Sequence, residues 1–68
     1  MVKMTFGEKI RYHRLKLHMT QSELGEKVGV SNTAILAYEM ERREPQFFTV
    51  ICLADVLGVS LDYLAGKE

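Results

Sequence analysis

Apolar residues recur every three or four positions along most of the chain, and this spacing predicts helices. The clearest run is FFTVICLADVL over residues 47–57, a strongly apolar helix that Gly58 is expected to end. Leu24 and Val28 mark the inner face of a shorter helix that stops at Gly29. No stretch alternates apolar and polar residues for long enough to predict a strand. The pattern therefore predicts an all-α fold.

Residues that favour helix starts divide this pattern into five segments. Thr5 precedes Glu8 by three positions, and Thr20 precedes Glu23 by three, which is the spacing of a capping box. Two serines are expected to cap later helices, namely Ser31 and Ser60. The first helix is expected to bury residues at helical spacing: Phe6, Ile10, Leu17 and either Tyr12 or His13. The chain is thus predicted to be one domain, residues 1–68, a compact five-helix bundle with helices at about 6–18, 21–28, 32–40, 47–57 and 61–65.

The second and third predicted helices are joined by a short turn, which forces them to cross at a steep angle. Gly25 lies where their backbones approach closely, and Gly29 supplies the left-handed conformation that ends the second helix. Val30 and Ile35 are expected to fill the wedge between the two helices. This succession of small and apolar residues is the pattern of a helix-turn-helix, and each residue in it has a physical reason for its position.

Three segments carry a resemblance to a known family. TQSELGEKVGVS, a later EP and then LADVLGVSLDYL resemble the lambda-repressor/Cro (Xre) class of helix-turn-helix regulators, from about Phe6 to Leu64. The resemblance implies a lambda-repressor-like fold that binds double-stranded DNA, with the third helix in the major groove. It further implies a homodimer on a pseudo-palindromic operator. A sequence-specific transcriptional regulator, most simply a repressor, is therefore predicted.

The resemblance also implies roles for individual residues. Gln21 would bond a phosphate and brace the recognition helix, although it also suits the first turn of any helix. Arg14 and Glu39 would form a structural ion pair between the first helix and the end of the third. Arg42 and Arg43 would follow the DNA backbone, unless they are simply solvated loop charges. The full DNA-binding set is Gln21, Ser31, Asn32, Thr33, Leu36, Ala37, Arg42 and Arg43.

The expected reading face departs from the family pattern because it is largely apolar. Asn32 can pair with N6 and N7 of adenine, whereas Thr33, Leu36 and Ala37 offer methyl groups that suit the thymine methyl. An A·T-rich site, with much of the specificity in DNA shape and a shallow salt dependence, is expected. Glu41, where the family often has Gly, is expected to repel the DNA backbone.

The residues of the expected reading face are also compatible with a second function. Thr33, Leu36, Ala37 and Met40 form an apolar stripe at helical spacing, and such a stripe can dock a partner helix. The alternative is therefore a protein-interaction or antitoxin-like module with the same fold.

Composition and charge narrow the classes of protein to which this chain can belong. The 68 residues have no formal net charge, yet residues 1–20 carry +4 and residues 21–68 carry −4. A basic and an acidic side are expected, unless these charges simply face water. A single Cys, the absence of a spanning apolar run and the lack of a signal-peptide core predict a cytoplasmic protein away from membranes.

No arrangement of residues predicts catalysis, so the chain is not expected to be an enzyme. His13 and His18 lie five positions apart and do not share a helix face as metal ligands four apart would. Cys52 is expected to be a small core residue with a buried, unreactive thiol. No cofactor, metal or small-molecule ligand is indicated.

Apolar residues near the C-terminal end of the sequence are candidates for a dimer interface. They are Val56, Val59, Leu61, Tyr63 and Leu64. They either form part of a two-fold interface or simply close the core. One domain of this size contacts only one half-site and would bind weakly alone. The chain is expected to be either a complete small regulator or the DNA-binding half of a longer one.

Overall fold

The computed structural model describes residues 3–66, which form a bundle of helices without a strand among them. In chain order the helices are α1 (Phe6–Lys16), α2 (Gln21–Val28), α3 (Asn32–Glu39), α4 (Phe47–Leu57) and α5 (Leu61–Leu64). The predicted all-α fold is confirmed. None of the helices in the described range is long and apolar enough to span a membrane.

Most helices begin at a side chain that accepts a hydrogen bond from the first turn. Thr5 accepts from the Glu8 N–H at 3.2 Å while the Glu8 carboxylate accepts from the Thr5 N–H at 2.8 Å. Thr20 and Glu23 repeat this capping box at 3.0 and 2.8 Å. The bonds from Thr20 also hold the pKa of Glu23 below its usual value. The serine caps expected for α3 and α5 are present as well.

Three helices end earlier than the sequence pattern predicts. The first ends at Lys16 rather than at residue 18, because His18 adopts a left-handed φ of 58°. The third ends at Glu39 rather than 40, because Glu41 has a φ of 59°. The last ends at Leu64 rather than 65, shortly before the left-handed Gly66. A residue in this conformation cannot continue a right-handed helix.

Each helix supplies one fully buried side chain to the core. These residues are Ile10, Leu24, Ile35, Leu53 and Leu64. At the α2–α3 crossing, a Cβ on Gly25 would lie 2.5 Å from the Val30 carbonyl oxygen, so only Gly fits. A second close approach was not predicted: a Cβ on Gly7 would clash with the carbonyl oxygen of Glu39. The small residues thus set how closely α1, α2 and α3 meet.

The tertiary arrangement corrects several burial expectations. Leu17 is 47% exposed rather than internal, because α1 has already ended and the chain turns outward there. Cys52 is half-buried at the margin of the core rather than inside it. Val56 and Val59 pack against the core and Leu64 lies within it, so these residues close the bundle. The large apolar side chains of α4 that are exposed are instead Phe47, Phe48 and Ile51.

Candidate nucleic-acid interface

Helix α3 separates into a buried face and an open face. Ala34, Ile35 and Tyr38 are buried, and they anchor the helix on the core. On the opposite side, the structure exposes Asn32, Thr33 and Leu36, and it half-buries Ala37. The open face therefore presents one carboxamide, one hydroxyl and several methyl groups, without a charged side chain in its first two turns.

A nearly buried ion pair fixes the end of α3 to α1. Arg14 donates from Nε to Glu39 Oε2 at 2.7 Å and from Nη2 to Oε1 at 3.2 Å, which makes the contact bidentate. The Arg14 Nη1 donates at 2.9 Å to the Met19 carbonyl, which lies in the turn before α2. The two charged side chains are only 9% and 3% exposed. This network holds α1, α3 and the α1–α2 turn in one geometry.

Gln21 joins the same network from the start of α2. Its side-chain amide donates to Glu39 Oε1 at 3.2 Å, and the residue is half-buried. A carboxamide has two N–H groups and an acceptor oxygen, so the bond to Glu39 uses only part of its capacity. Gln21 thereby braces α3 and lies at a helix N-terminus, where an anion such as phosphate is favoured.

Ser31 and the α3–α4 loop flank α3 at its two ends. The Ser31 hydroxyl accepts from the Ala34 N–H at 3.1 Å, so its structural role is an N-cap. Arg42 and Arg43 are exposed, and the Arg42 N–H donates to the Ala37 carbonyl at 2.9 Å, which seats the loop on α3. Ser31 and Arg42 are thus attached to the two ends of α3, whereas Arg43 lines a groove together with Phe47 and Leu61.

Glu41 was expected to face the DNA backbone, but its carboxylate contacts the start of α1 instead. Its carboxylate Oε2 accepts from the Gly7 N–H at 3.4 Å, near the N-terminus of α1. A carboxylate is favoured at this end of a helix because the first N–H groups carry partial positive charge. The negative charge of Glu41 is thus directed toward α1.

A polar cluster that the sequence did not reveal attaches α5 to α1. Lys9 Nζ donates to the Tyr63 carbonyl at 2.6 Å and lies 4.6 Å from the centroid of the Tyr63 ring. His13 Nε2 lies 3.0 Å from the Tyr63 hydroxyl. Desolvation, followed by the nearby Lys16 ammonium, lowers the pKa of His13. These partners are about fifty residues apart in sequence, so no local spacing predicts them.

Comparisons with known proteins agree with this geometry. A family model described as Helix-turn-helix matches residues 10–64. The uncharacterised HTH-type transcriptional regulator YqaE of Bacillus subtilis is 39% identical over 93% of this chain and 54% of its own length. Repressor protein C2 of Salmonella phage P22 is 45% identical over 85% of this chain. The chain spans only 27% of that repressor, so it corresponds to part of the curated relatives it matches.

A solved structure extends the agreement to three dimensions. The P22 c2 repressor, crystallised in complex with a synthetic operator, matches with a TM-score of 0.91 at 39% identity. The match covers 97% of this chain and 100% of that one. Together with the α2–α3 crossing at Gly25, these findings show that the chain belongs to the lambda-repressor/Cro (Xre) family of helix-turn-helix DNA-binding domains.

Proposed function

We propose that the protein is a sequence-specific DNA-binding transcriptional regulator, acting as a cytoplasmic repressor and not as an enzyme. It binds double-stranded DNA as a homodimer on a pseudo-palindromic operator. The observation that carries this proposal is the open face of α3, which is braced from below by the Arg14–Glu39–Gln21 network. The likeness to a repressor crystallised on operator DNA supports it.

In this proposal α3 enters the major groove with its exposed N-terminal turn leading. Asn32 makes the one bidentate base contact, to adenine, and Thr33 and Leu36 contact thymine methyl groups. Ala37, which is half-buried, closes the same apolar surface one turn further along. The preferred site is therefore A·T-rich where α3 touches it.

The phosphate contacts come from the two ends of this surface. Gln21 donates to a phosphate with the amide capacity that Glu39 does not use, and the hydroxyl of Ser31 donates while its oxygen caps α3. Arg42 and Arg43 follow the backbone from the α3–α4 loop, where both are exposed. Their number is small, so positioning depends on neutral donors as much as on charge.

The test is selection of bound duplexes from a random DNA pool at low and near-physiological salt. Enrichment of an A·T-bearing palindrome, with half-sites about one helical turn apart, is expected for a dimeric regulator. A folded protein that enriches nothing, including as a covalently linked dimer, contradicts the proposal.

The exposure of Leu36 and Met40, at 43% and 56%, favours one alternative, a protein-interaction or antitoxin-like module. In that case α3 docks an apolar helix instead of DNA. Leu36→Gln separates the two functions. It would abolish capture of a protein partner, whereas on DNA it would alter the preferred base and leave non-specific binding unchanged.

A further inference from the structure

A small open pocket lies where α5 meets α1, and none of the proposed DNA contacts lines it. Its described lining is Lys3, Met4, Lys9, Tyr63 and Gly66, and its volume is about 320 Å³. We call it the α1–α5 pocket. Volumes of this size lie at the lower end of the range for small-molecule sites. Lys9 and Tyr63 are 54 positions apart in the chain, so their spacing could not indicate a ligand site.

Lys9 is held in a fixed position at this pocket. Its Nζ donates to the Tyr63 carbonyl at 2.6 Å and lies 4.6 Å from the centroid of the Tyr63 ring. An ammonium group has three N–H donors, and the carbonyl uses one of them. Because the half-buried side chain is already ordered, an anion that binds Lys9 would not have to immobilise a freely moving lysine.

No carboxylate in residues 3–66 neutralises Lys9. Within this range Arg14 and Glu39 form the only ion pair closer than 4 Å. The two acids nearest to the pocket in sequence are directed elsewhere. Glu8 accepts from the N–H of its own helix cap at 2.8 Å, and Asp62 lines a different groove. Lys9 is therefore an ordered cation without an anionic partner among the described residues.

Other cations add to the positive charge around the α1–α5 pocket. Lys3 lines the same pocket and is exposed. Lys16 lies one turn beyond His13, and its charge lowers the pKa of His13 after the larger effect of desolvation. His13 in turn contacts the Tyr63 hydroxyl. Several basic groups thus surround Tyr63, and an anion placed among them would be attracted by all of them.

We propose that the α1–α5 pocket binds a small organic anion, whose carboxylate or phosphate group contacts Lys9 and Lys3 and whose apolar body lies against Met4 and Tyr63. The two lysines supply the charge-assisted donors that such oxygens accept. Met4 and the Tyr63 ring supply the apolar wall, which an inorganic ion would leave uncovered. The ligand is small because the pocket is small.

The open position of the pocket sets the strength of binding. Lys3 is exposed, so water and salt screen its charge, and such contacts contribute little each. A Kd on the order of 1 mM is therefore expected for a simple probe with one anionic group and one ring. Nuclear magnetic resonance titration measures affinities of this strength directly.

The test follows the backbone amide resonances of the ¹⁵N-labelled protein during titration at constant ionic strength. The probes are benzoate and phenyl phosphate, which carry the same ring on the two kinds of anionic group. Benzamide is the neutral control with that ring, and acetate is the anionic control without it. Since no DNA is present, the result does not depend on the proposed function.

Saturable shifts are expected at the amides of Lys3, Met4, Lys9, Tyr63 and Gly66 with both ring-bearing anions. Benzamide should give no saturable shift there, and acetate should bind more weakly than benzoate. The tighter of benzoate and phenyl phosphate identifies the preferred anionic group. Absence of saturable shifts with both ring-bearing anions, or equal shifts with benzamide, overturns the proposal.

Three variants that remove the same charge locate the site. Lys9→Gln is expected to raise the Kd about tenfold, the value of a hydrogen bond from a charged donor. Lys3→Gln should raise it about threefold, as for an exposed charge pair. Lys27→Gln, on the exposed side of α2, should leave it unchanged.

Lys9 also attaches α5 to α1, so Lys9→Gln is compared with the wild type by thermal melting. Lys3→Gln keeps the test decisive if Lys9→Gln is less stable, because Lys3 is exposed and lies outside the helices. If Lys3→Gln and a folded Lys9→Gln bind benzoate and phenyl phosphate as tightly as Lys27→Gln does, the anion does not bind in the α1–α5 pocket and the proposal is wrong.

Discussion

Arg14 illustrates how one side chain can join segments that are far apart in sequence. Its guanidinium contacts Glu39 at the end of α3 and the carbonyl of Met19 before α2. The planar arrangement of its donors suits this geometry, which Lys could not reproduce. Its value lies in specifying the arrangement of the helices, because a buried ion pair gains little net stability over an apolar pair.

Removing one member of this pair is expected to destabilise the domain severely. Arg14→Met leaves the Glu39 carboxylate, whose side chain is 3% exposed, without its cation. The expected loss is about 3–5 kcal/mol of unfolding free energy, measured by urea denaturation. The double variant Arg14→Met/Glu39→Leu removes both charges and should lose less. A double variant less stable than the single one would show that the stranded charge is not the cause.

Asn32 is expected to carry the sharpest base preference of α3, because it is the one exposed carboxamide in its first turn. Asn32→Ala should weaken binding to the preferred operator by about 1–3 kcal/mol, the usual value of a bidentate base contact. The loss should disappear on an operator whose contacted adenine has been replaced. Fluorescence anisotropy on both duplexes measures this, and equal affinities of wild type and variant on the preferred operator would remove Asn32 from the readout.

His13 is expected to make the stability of the domain depend on pH. Its pKa is lowered in the folded state, chiefly by desolvation. As pH falls below about 6.5, the unfolded chain binds a proton at His13 before the folded one does, so the free energy of unfolding decreases. The contribution is fully present above the unfolded pKa and is lost as pH approaches the lower folded value.

Urea denaturation at pH 7.5 and 5.5 measures this dependence. His13→Phe should show a smaller loss of stability on acidification than the wild type. His18→Asn is the control, because His18 is exposed and left-handed, a conformation that Asn tolerates. If His13→Phe and the wild type lose equal stability, another group is responsible.

The α2–α3 pair depends on one close approach of backbone. Because a Cβ at Gly25 would meet the Val30 carbonyl, any larger side chain must separate the two helices. The relative position of Gln21 and the α3 face would change with them. The geometry of the helix-turn-helix therefore depends on the absence of a Cβ at Gly25 as much as on apolar contacts.

Gly25→Leu is accordingly expected to abolish the cooperative thermal transition or to lower the melting temperature strongly. Glu26→Leu, the same new side chain on an exposed neighbour, should change stability by only about 0.5 kcal/mol. Circular dichroism melts compare the two. A Gly25→Leu variant that melts with the wild type would contradict the close approach.

Charge is distributed unevenly across the folded domain. The basic excess of residues 1–20 belongs mainly to α1, whereas the open face of α3 carries no charged side chain in its first two turns. The proposed DNA surface therefore relies on Arg42 and Arg43 for its positive charge. Glu41 interferes less than its position in sequence implies, because its carboxylate is directed to Gly7.

The salt dependence of DNA binding should be shallow as a result. If a dimer contacts phosphates with Arg42 and Arg43 from each copy, log K should fall with log salt at a slope of about −3.6. Arg43→Gln in both copies should reduce the magnitude of this slope by about 1.8. Lys27→Gln serves as a charge-matched control away from the loop. A slope that Arg43→Gln leaves unchanged would place this residue off the DNA.

The amino-acid sequence alone determined the helices and their order. Helix starts at Thr5, Thr20 and Ser31, and the stops at Gly29 and Gly58, depend on residues within four positions of each other. Such interactions are local, so their spacing is visible in the chain. The Gly25 crossing was predictable for the same reason, because α2 and α3 are neighbours joined by a short turn.

Only the tertiary structure decided which surfaces are open and which distant groups meet. The contact of Gly7 with the end of α3, the Lys9–His13–Tyr63 cluster and the direction of Glu41 all join residues more than thirty positions apart. The exposure of Phe47 and Phe48 likewise follows from which side of α4 the other helices cover. A hydrophobic residue can fit the helical periodicity on either side of a helix. Only the packing of the other helices therefore determined which residues lie in the core and which lie at the surface.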